Sequence, residues 1–167
     1  MLLKEKIQED LISALKEKRE ITVSTLRMVS AAISNKETEK RTRIWKEKPE
    51  SEVKKLEKES QLTDEEIIDV IFSEVKKRKE AIVEFEKGGR EDLVEKEKKE
   101  MGILMKYLPE QLSEEEIKKM AKEIIKEVGA ESLRDLGKVM GQLMPKLKGK
   151  AEGSLVSKIV KELLASK

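Results

Sequence analysis

Apolar residues recur along the chain at intervals of three and four, with no run of alternating β-branched residues. That spacing puts them on one face of an α-helix, whereas a half-buried strand needs a period of two. Leu3, Ile7, Leu11 and Ala14 mark a first helix; Val23, Leu26, Ser30 and Ile33 mark a second. Ile68, Ile71, Val75, Ile82 and Phe85 mark a third, and Val94, Met101, Leu104 and Leu108 a fourth. The fifth stripe is the most regular: Ile117, Met120, Ala121, Ile124, Ile125 and Val128. Leu133, Leu136, Met140, Leu143 and Met144 mark a sixth, and Leu155, Val156, Ile159, Val160, Leu163 and Leu164 a seventh. The pattern predicts an all-α fold.

The residues between the stripes agree. Thr63-Asp64-Glu65-Glu66 and Ser113-Glu114-Glu115-Glu116 read as capping boxes, in which the hydroxyl accepts from an early helical N–H and the Glu reaches back. Gly88-Gly89 and Gly129 suit left-handed helix ends, and Pro109 closes the fourth helix. Residues 36–60 carry nine basic and seven acidic side chains around Trp45 and Pro49. They read as a charged arm, or a solvated helix end, at about 36–61. The character of the chain changes at 109–112, from long charged helices to shorter, more apolar ones. The expected organisation is an N-terminal bundle of long helices over 1–108 and a compact three-helix domain over 109–167.

Composition narrows the chemistry. The 167 residues include no Cys and no His. Thiolate nucleophiles, disulfides, zinc–thiolate sites and the usual neutral-pH base are thereby excluded. Leu, Ile, Val and Phe total 45, enough for an aliphatic core. The longest uncharged run is Met28 to Asn35, eight residues, against about 20 for a membrane span. The N-terminus lacks the apolar stretch of a secretory signal, and a cytoplasmic protein is expected. Lys and Glu number 30 each, against one Asn and four Gln, a heat-adapted composition. With 35 acidic side chains on solvated helices, neighbouring carboxylates are expected by chance. No glycine-rich loop follows a strand, so no catalytic residue, metal or cofactor is expected.

Two features remain. Gly137 and Gly141 lie four apart on one helix face, each costing about 1 kcal/mol of helix propensity. Either a neighbouring helix or a partner's backbone must come close there. From Arg134 to Lys161 there are seven basic residues (Arg134, Lys138, Lys146, Lys148, Lys150, Lys158 and Lys161) against Asp135 and Glu152 alone. The cluster can follow a phosphate track, or it can be a solvated helix end favoured by the dipole. It contains no aromatic, so it suits the backbone of a structured RNA rather than unstacked bases. A weaker basic group, Lys36, Lys40, Arg41, Arg43, Lys46 and Lys48, is interleaved with acids around Trp45.

Several ordered motifs resemble the YqeY family: Leu26-Arg27-Met28, Ala31-Ala32-Ile33 with Asn35, Leu62-Thr63-Asp64-Glu65-Glu66, Glu84 to Arg90, Tyr107-Leu108-Pro109 with Gln111-Leu112, Gly137 to Gly141, and Met144 to Ala151. The resemblance covers about 2–35 and 62–164 and is missing over 36–61. The family's C-terminal part is similar to the tail of the GatB subunit of the glutamyl/aspartyl-tRNA amidotransferase, here through Gly137, Gly141, Gln142, Met144, Lys148, Gly149, Lys150, Ala151 and Val156. The resemblance implies an all-helical, tRNA-binding accessory module. Phosphates would meet Lys138, Lys146, Lys148, Lys150 and Lys158, with close approach at Gly137 and Gly141. It also carries an association with carbon–nitrogen ligase activity using glutamine as amido donor. That association implies homology to a subunit's tail, without the catalytic domain. The alternative is a protein-interaction adaptor using the N-terminal helices, with an amidotransferase subunit as one possible partner. No membrane partner and no DNA specificity are expected.

Overall fold

The computed structural model describes residues 2–166, and every regular element among them is helical. The chain divides into two compact units, Met1–Tyr107 and Leu108–Lys167. No helix among the described residues is long and apolar enough to cross a membrane.

The first unit contains α1 (Leu3–Lys16), α2 (Glu20–Glu47), α3 (Val53–Ser60), α4 (Asp64–Lys87) and α5 (Glu91–Met105). Helices α1, α2 and α4 pack on one another and bury Ile7, Leu11 and Ala14 of α1, Val23, Leu26, Val29 and Ile33 of α2 and Ile67, Ile71, Val75 and Ile82 of α4. The stripe of α4 is one residue out of phase with expectation at its start: Ile67 is fully buried and Ile68 only half-buried. Its register also carries a charge inward. Arg78 follows Ile71 and Val75 at the helical interval and is buried with Glu100 of α5; their Nη2–Oε2 distance is 3.0 Å. Arg78 Nη1 donates to the carbonyl and the carboxylate of Glu74, both at 3.1 Å.

Residues 36–61 form the end of α2, a turn and the additional helix α3. Leu56 is buried, and Ser60 Oγ, also buried, donates to the Glu57 carbonyl and accepts from Arg41 Nε. The α2 end is tied down by charge: Lys40 meets Glu66 at 2.8 Å and Lys4 meets Glu37 at 2.6 Å. Thr63 forms the expected capping box with Glu66 at the start of α4. Tyr107, at the end of the unit, donates to the Asp10 carboxylate at 2.6 Å.

The second unit contains α6 (Glu114–Glu127), a 3-10 turn (Leu133–Asp135), α7 (Leu136–Leu147) and α8 (Gly153–Ala165). The Ser113–Glu116 capping box opens α6, and Gly129, at φ +63°, lets the chain turn away after it. Ile117, Ile124, Val139, Leu143, Leu147, Val156 and Val160 fill the core. Each such side chain is worth roughly 1.5–3 kcal/mol over exposure. The inward stripe of α7 is Val139, Leu143 and Leu147. Leu133, expected on it, is exposed, because the tighter 3-10 turn breaks the helical phase ahead of Leu136.

Candidate nucleic-acid interface

The basic cluster is organised by the turn between α7 and α8. Leu147, the last residue of α7, is fully buried and anchors it. The Lys150 and Ala151 N–H groups both donate to the Leu147 carbonyl, at 2.9 and 3.2 Å. Gly149 takes φ +71°, a conformation that costs an L side chain about 1–2 kcal/mol. The segment before α6 then holds the turn from outside. Gln111 Nε2 donates to the Gly149 carbonyl at 2.7 Å and to the Pro109 carbonyl at 2.8 Å. The Leu112 N–H donates to the Lys150 carbonyl at 2.9 Å. Buried Gly149 and Ala151 alternate with exposed Lys148 and Lys150, so the turn aims its lysines outward. Gln111 does not stand out as a site residue in the sequence. Its only signal there is its place in the Gln111-Leu112 motif.

The remaining predicted contacts separate into two groups. Lys146, Lys150 and Lys158 are exposed, and among the described residues no carboxylate pairs with them; the same holds for Arg134 and Lys161. Lys148 is exposed at the C-cap of α7. Lys138 acts within the unit. Its ammonium donates to the Val128 carbonyl at 3.0 Å, closing the C-terminus of α6. Lysines there complement the helix dipole. Unit one holds both kinds of lysine, and several there are paired. Lys36–Glu39, Lys77–Glu74, Lys87–Glu84, Lys98–Glu86 and Lys99–Glu95 are ion-paired on its helices. In the groove of about 780 Å³ between α2 and α4, Lys36, Lys40 and Lys77 are each paired.

Gly137 and Gly141 face solvent on α7 beside Lys138, Gln142 and Lys146. A Cβ built on either would meet nothing within 4 Å. Packing of a neighbouring helix within the unit is therefore not why these positions are bare. Gly153 shows the contrast: a Cβ there would sit 3.4 Å from Met144 Cε.

Hydrogen bonds and cations lower four carboxyl groups, Glu66, Glu74, Glu116 and Asp135. The Glu131 and Ser132 N–H groups hold the Asp135 carboxyl below its ordinary value. The Ser113 N–H and hydroxyl do the same for Glu116. Lys40 lowers Glu66. Burial works to raise Glu74, but hydrogen bonds from Lys77 and Arg78 prevail and lower it. A general acid at neutral pH needs the opposite shift.

A family model described as Yqey-like protein matches residues 4–164, including the stretch 36–61 that the motif resemblance left out. No curated protein matches the chain. With nearly its whole length matched, the chain belongs to the YqeY family.

Proposed function

We propose that the C-terminal unit is a tRNA-binding accessory module that contacts the phosphate backbone through Lys146, Lys148, Lys150 and Lys158. The observation that carries this reading is the stapled α7–α8 turn. Its rigid backbone presents a dense group of exposed lysines, of which Lys146 and Lys150 have no carboxylate partner among the described residues. Lysines serving thermal stability are expected in ion pairs, such as Lys36–Glu39, Lys77–Glu74 and Lys99–Glu95. Exposed lysines outside such pairs lose that justification and suit a polyanion. The bare face at Gly137 and Gly141 lets a strand approach the helix backbone. Lys138 supports that face by closing α6 and adds its charge. The similarity of the family's C-terminal part to the GatB tail makes tRNA the preferred RNA. It gives no reason to assign amide transfer to this chain.

A second reading, a protein-interaction adaptor, is favoured by one observation. The outward face of α2 carries Ile21, Ser24, Met28 and Ala31, exposed and uncharged in a chain that is 43% charged.

The deciding experiment is binding of the full chain to total tRNA across a salt series, with duplex DNA as the comparison. The tRNA reading expects selective binding and an affinity that falls steeply with salt. Weak binding, or equal binding to both, removes it and leaves the adaptor reading.

A further inference from the structure

Trp45 is the chain's single tryptophan and lies on the last turns of α2 with 53% of its surface exposed. It is not among the buried core residues: Leu56 is buried at the α2–α3 junction, while Val53, across the turn, is 71% exposed. Leaving a tryptophan in water forfeits much of the hydrophobic gain its burial would bring. Its surroundings are cationic. Residues 41–48 carry Arg41, Arg43, Lys46 and Lys48 against Glu47 alone. Arg41 stands four before Trp45, so the two share one stripe of the helix, and Lys48 follows at its C-cap. Arg41 Nε is fixed to Ser60 Oγ at 3.2 Å. Arg43, Lys46 and Lys48 pair with no carboxylate among the described residues, whereas Lys36 and Lys40, earlier on the same helix, both do. The acids of the turn, Glu47, Glu50 and Glu52, line a separate depression with Lys48 and Lys55, and Trp45 takes no part in it.

We propose that this hairpin tip is a second RNA contact, at which Trp45 stacks on an unpaired base while Lys46 and Lys48 neutralise the neighbouring phosphates. An exposed indole beside lysines outside any ion pair is the chemistry of a single-strand platform, because every base offers a π-face and every linkage a charge. The tip supplies the aromatic that residues 134–161 lack. The inference rests on the RNA reading above and extends it from backbone contact to base stacking.

Being the only tryptophan, Trp45 is its own reporter. The full chain is titrated with a short single-stranded oligoadenylate, with a blunt RNA duplex and with anionic phospholipid vesicles, while tryptophan fluorescence is followed. Oligoadenylate should quench it and the duplex should not. Trp45→Ala, at an exposed position, should keep the fold and weaken oligoadenylate binding roughly fivefold to a hundredfold. Lys148→Glu with Lys150→Glu should leave the quenching intact, which separates this site from the α7–α8 turn. Absence of binding, binding without quenching, or unchanged affinity in Trp45→Ala overturns the proposal even if tRNA still binds. Quenching by vesicles and not by RNA overturns it in favour of a lipid surface.

Discussion

The side-chain amide of Gln111 donates to the carbonyl of Gly149 at 2.7 Å, joining two positions that lie 38 residues apart in sequence. This bond fixes the turn that carries Lys148 and Lys150, and its acceptor lies on a buried residue. Gln111→Glu keeps the shape but removes both amide hydrogens, leaving a buried carbonyl without that donor. The expected loss is about 1–2 kcal/mol, read from the urea midpoint. Because the lysines themselves remain, RNA affinity should weaken while its salt dependence persists. An unchanged midpoint would show that the Leu112–Lys150 backbone bond suffices.

The pair Arg78–Glu100 is the most heavily desolvated ion pair among the described residues, both side chains being about 5% exposed or less. Removing one partner strands the other. Glu100 in Arg78→Ala has no cation, so the loss should be about 3–5 kcal/mol. Arg78→Met with Glu100→Leu removes both charges and should recover most of it. Thermal unfolding of the three proteins decides this. A double variant as unstable as the single one would make packing, rather than charge, the reason.

Gly137 and Gly141 separate stability from binding. Both have room for a methyl group and helical backbone angles. Gly137→Ala and Gly141→Ala should each stabilise the chain by about 0.5–1 kcal/mol. If the bare face admits an RNA strand, the same changes should lower tRNA affinity. Stabilisation with undiminished binding would remove these glycines from the interface.

The titratable groups define two pH limits. Glu66, bonded to Lys40, and Glu116, bonded to the Ser113 N–H, are held below their ordinary 4.5. Glu74, where hydrogen bonds from Lys77 and Arg78 outweigh burial, is also lowered. Their folded values lie below the unfolded ones. The stability they contribute is therefore present above about pH 4.5 and is lost as pH falls through the folded values. Tyr107 behaves in the opposite sense. Burial, with the bond to Asp10, raises its pKa above 10.0. That contribution is intact below about pH 10 and is lost as pH rises towards the folded value. With no His in the chain, a urea-midpoint profile should be flat between about pH 5 and 9 and fall on both sides. Tyr107→Phe should lose the alkaline fall attributable to this residue; a variant with an unchanged alkaline limb would contradict the assignment.

The legibility of the sequence varies by element. On α6 the apolar stripe Ile117, Ala121, Ile124, Ile125 contrasts cleanly with its charged face, and all four are buried as the spacing predicts. On α4 the stripe passes through Arg78, and a pattern of apolar positions cannot tell an inward arginine from the many outward ones. Only its helical spacing from Ile71 and Val75 gives a signal. On α7 the phase is displaced by the 3-10 turn at Leu133, for which Ser132 and Asp135, a capping box, are the one local sign. Helix α3 is short and shows only Leu56 to the core, too little to emerge from a charged stretch. The site is half legible. Local charge density locates Lys146, Lys148 and Lys150, but their surroundings and the Gln111 staple depend on contacts far apart in sequence.

Phosphate contact by the α7–α8 turn is tested by the charge reversal Lys148→Glu with Lys150→Glu in the full chain, measured by tRNA binding over a salt series. Both side chains are exposed, so the fold should survive and the helical circular dichroism should be unchanged. Binding should be lost, or what remains should have a much shallower salt slope. Undiminished, equally salt-sensitive binding by a folded double variant would contradict that contact.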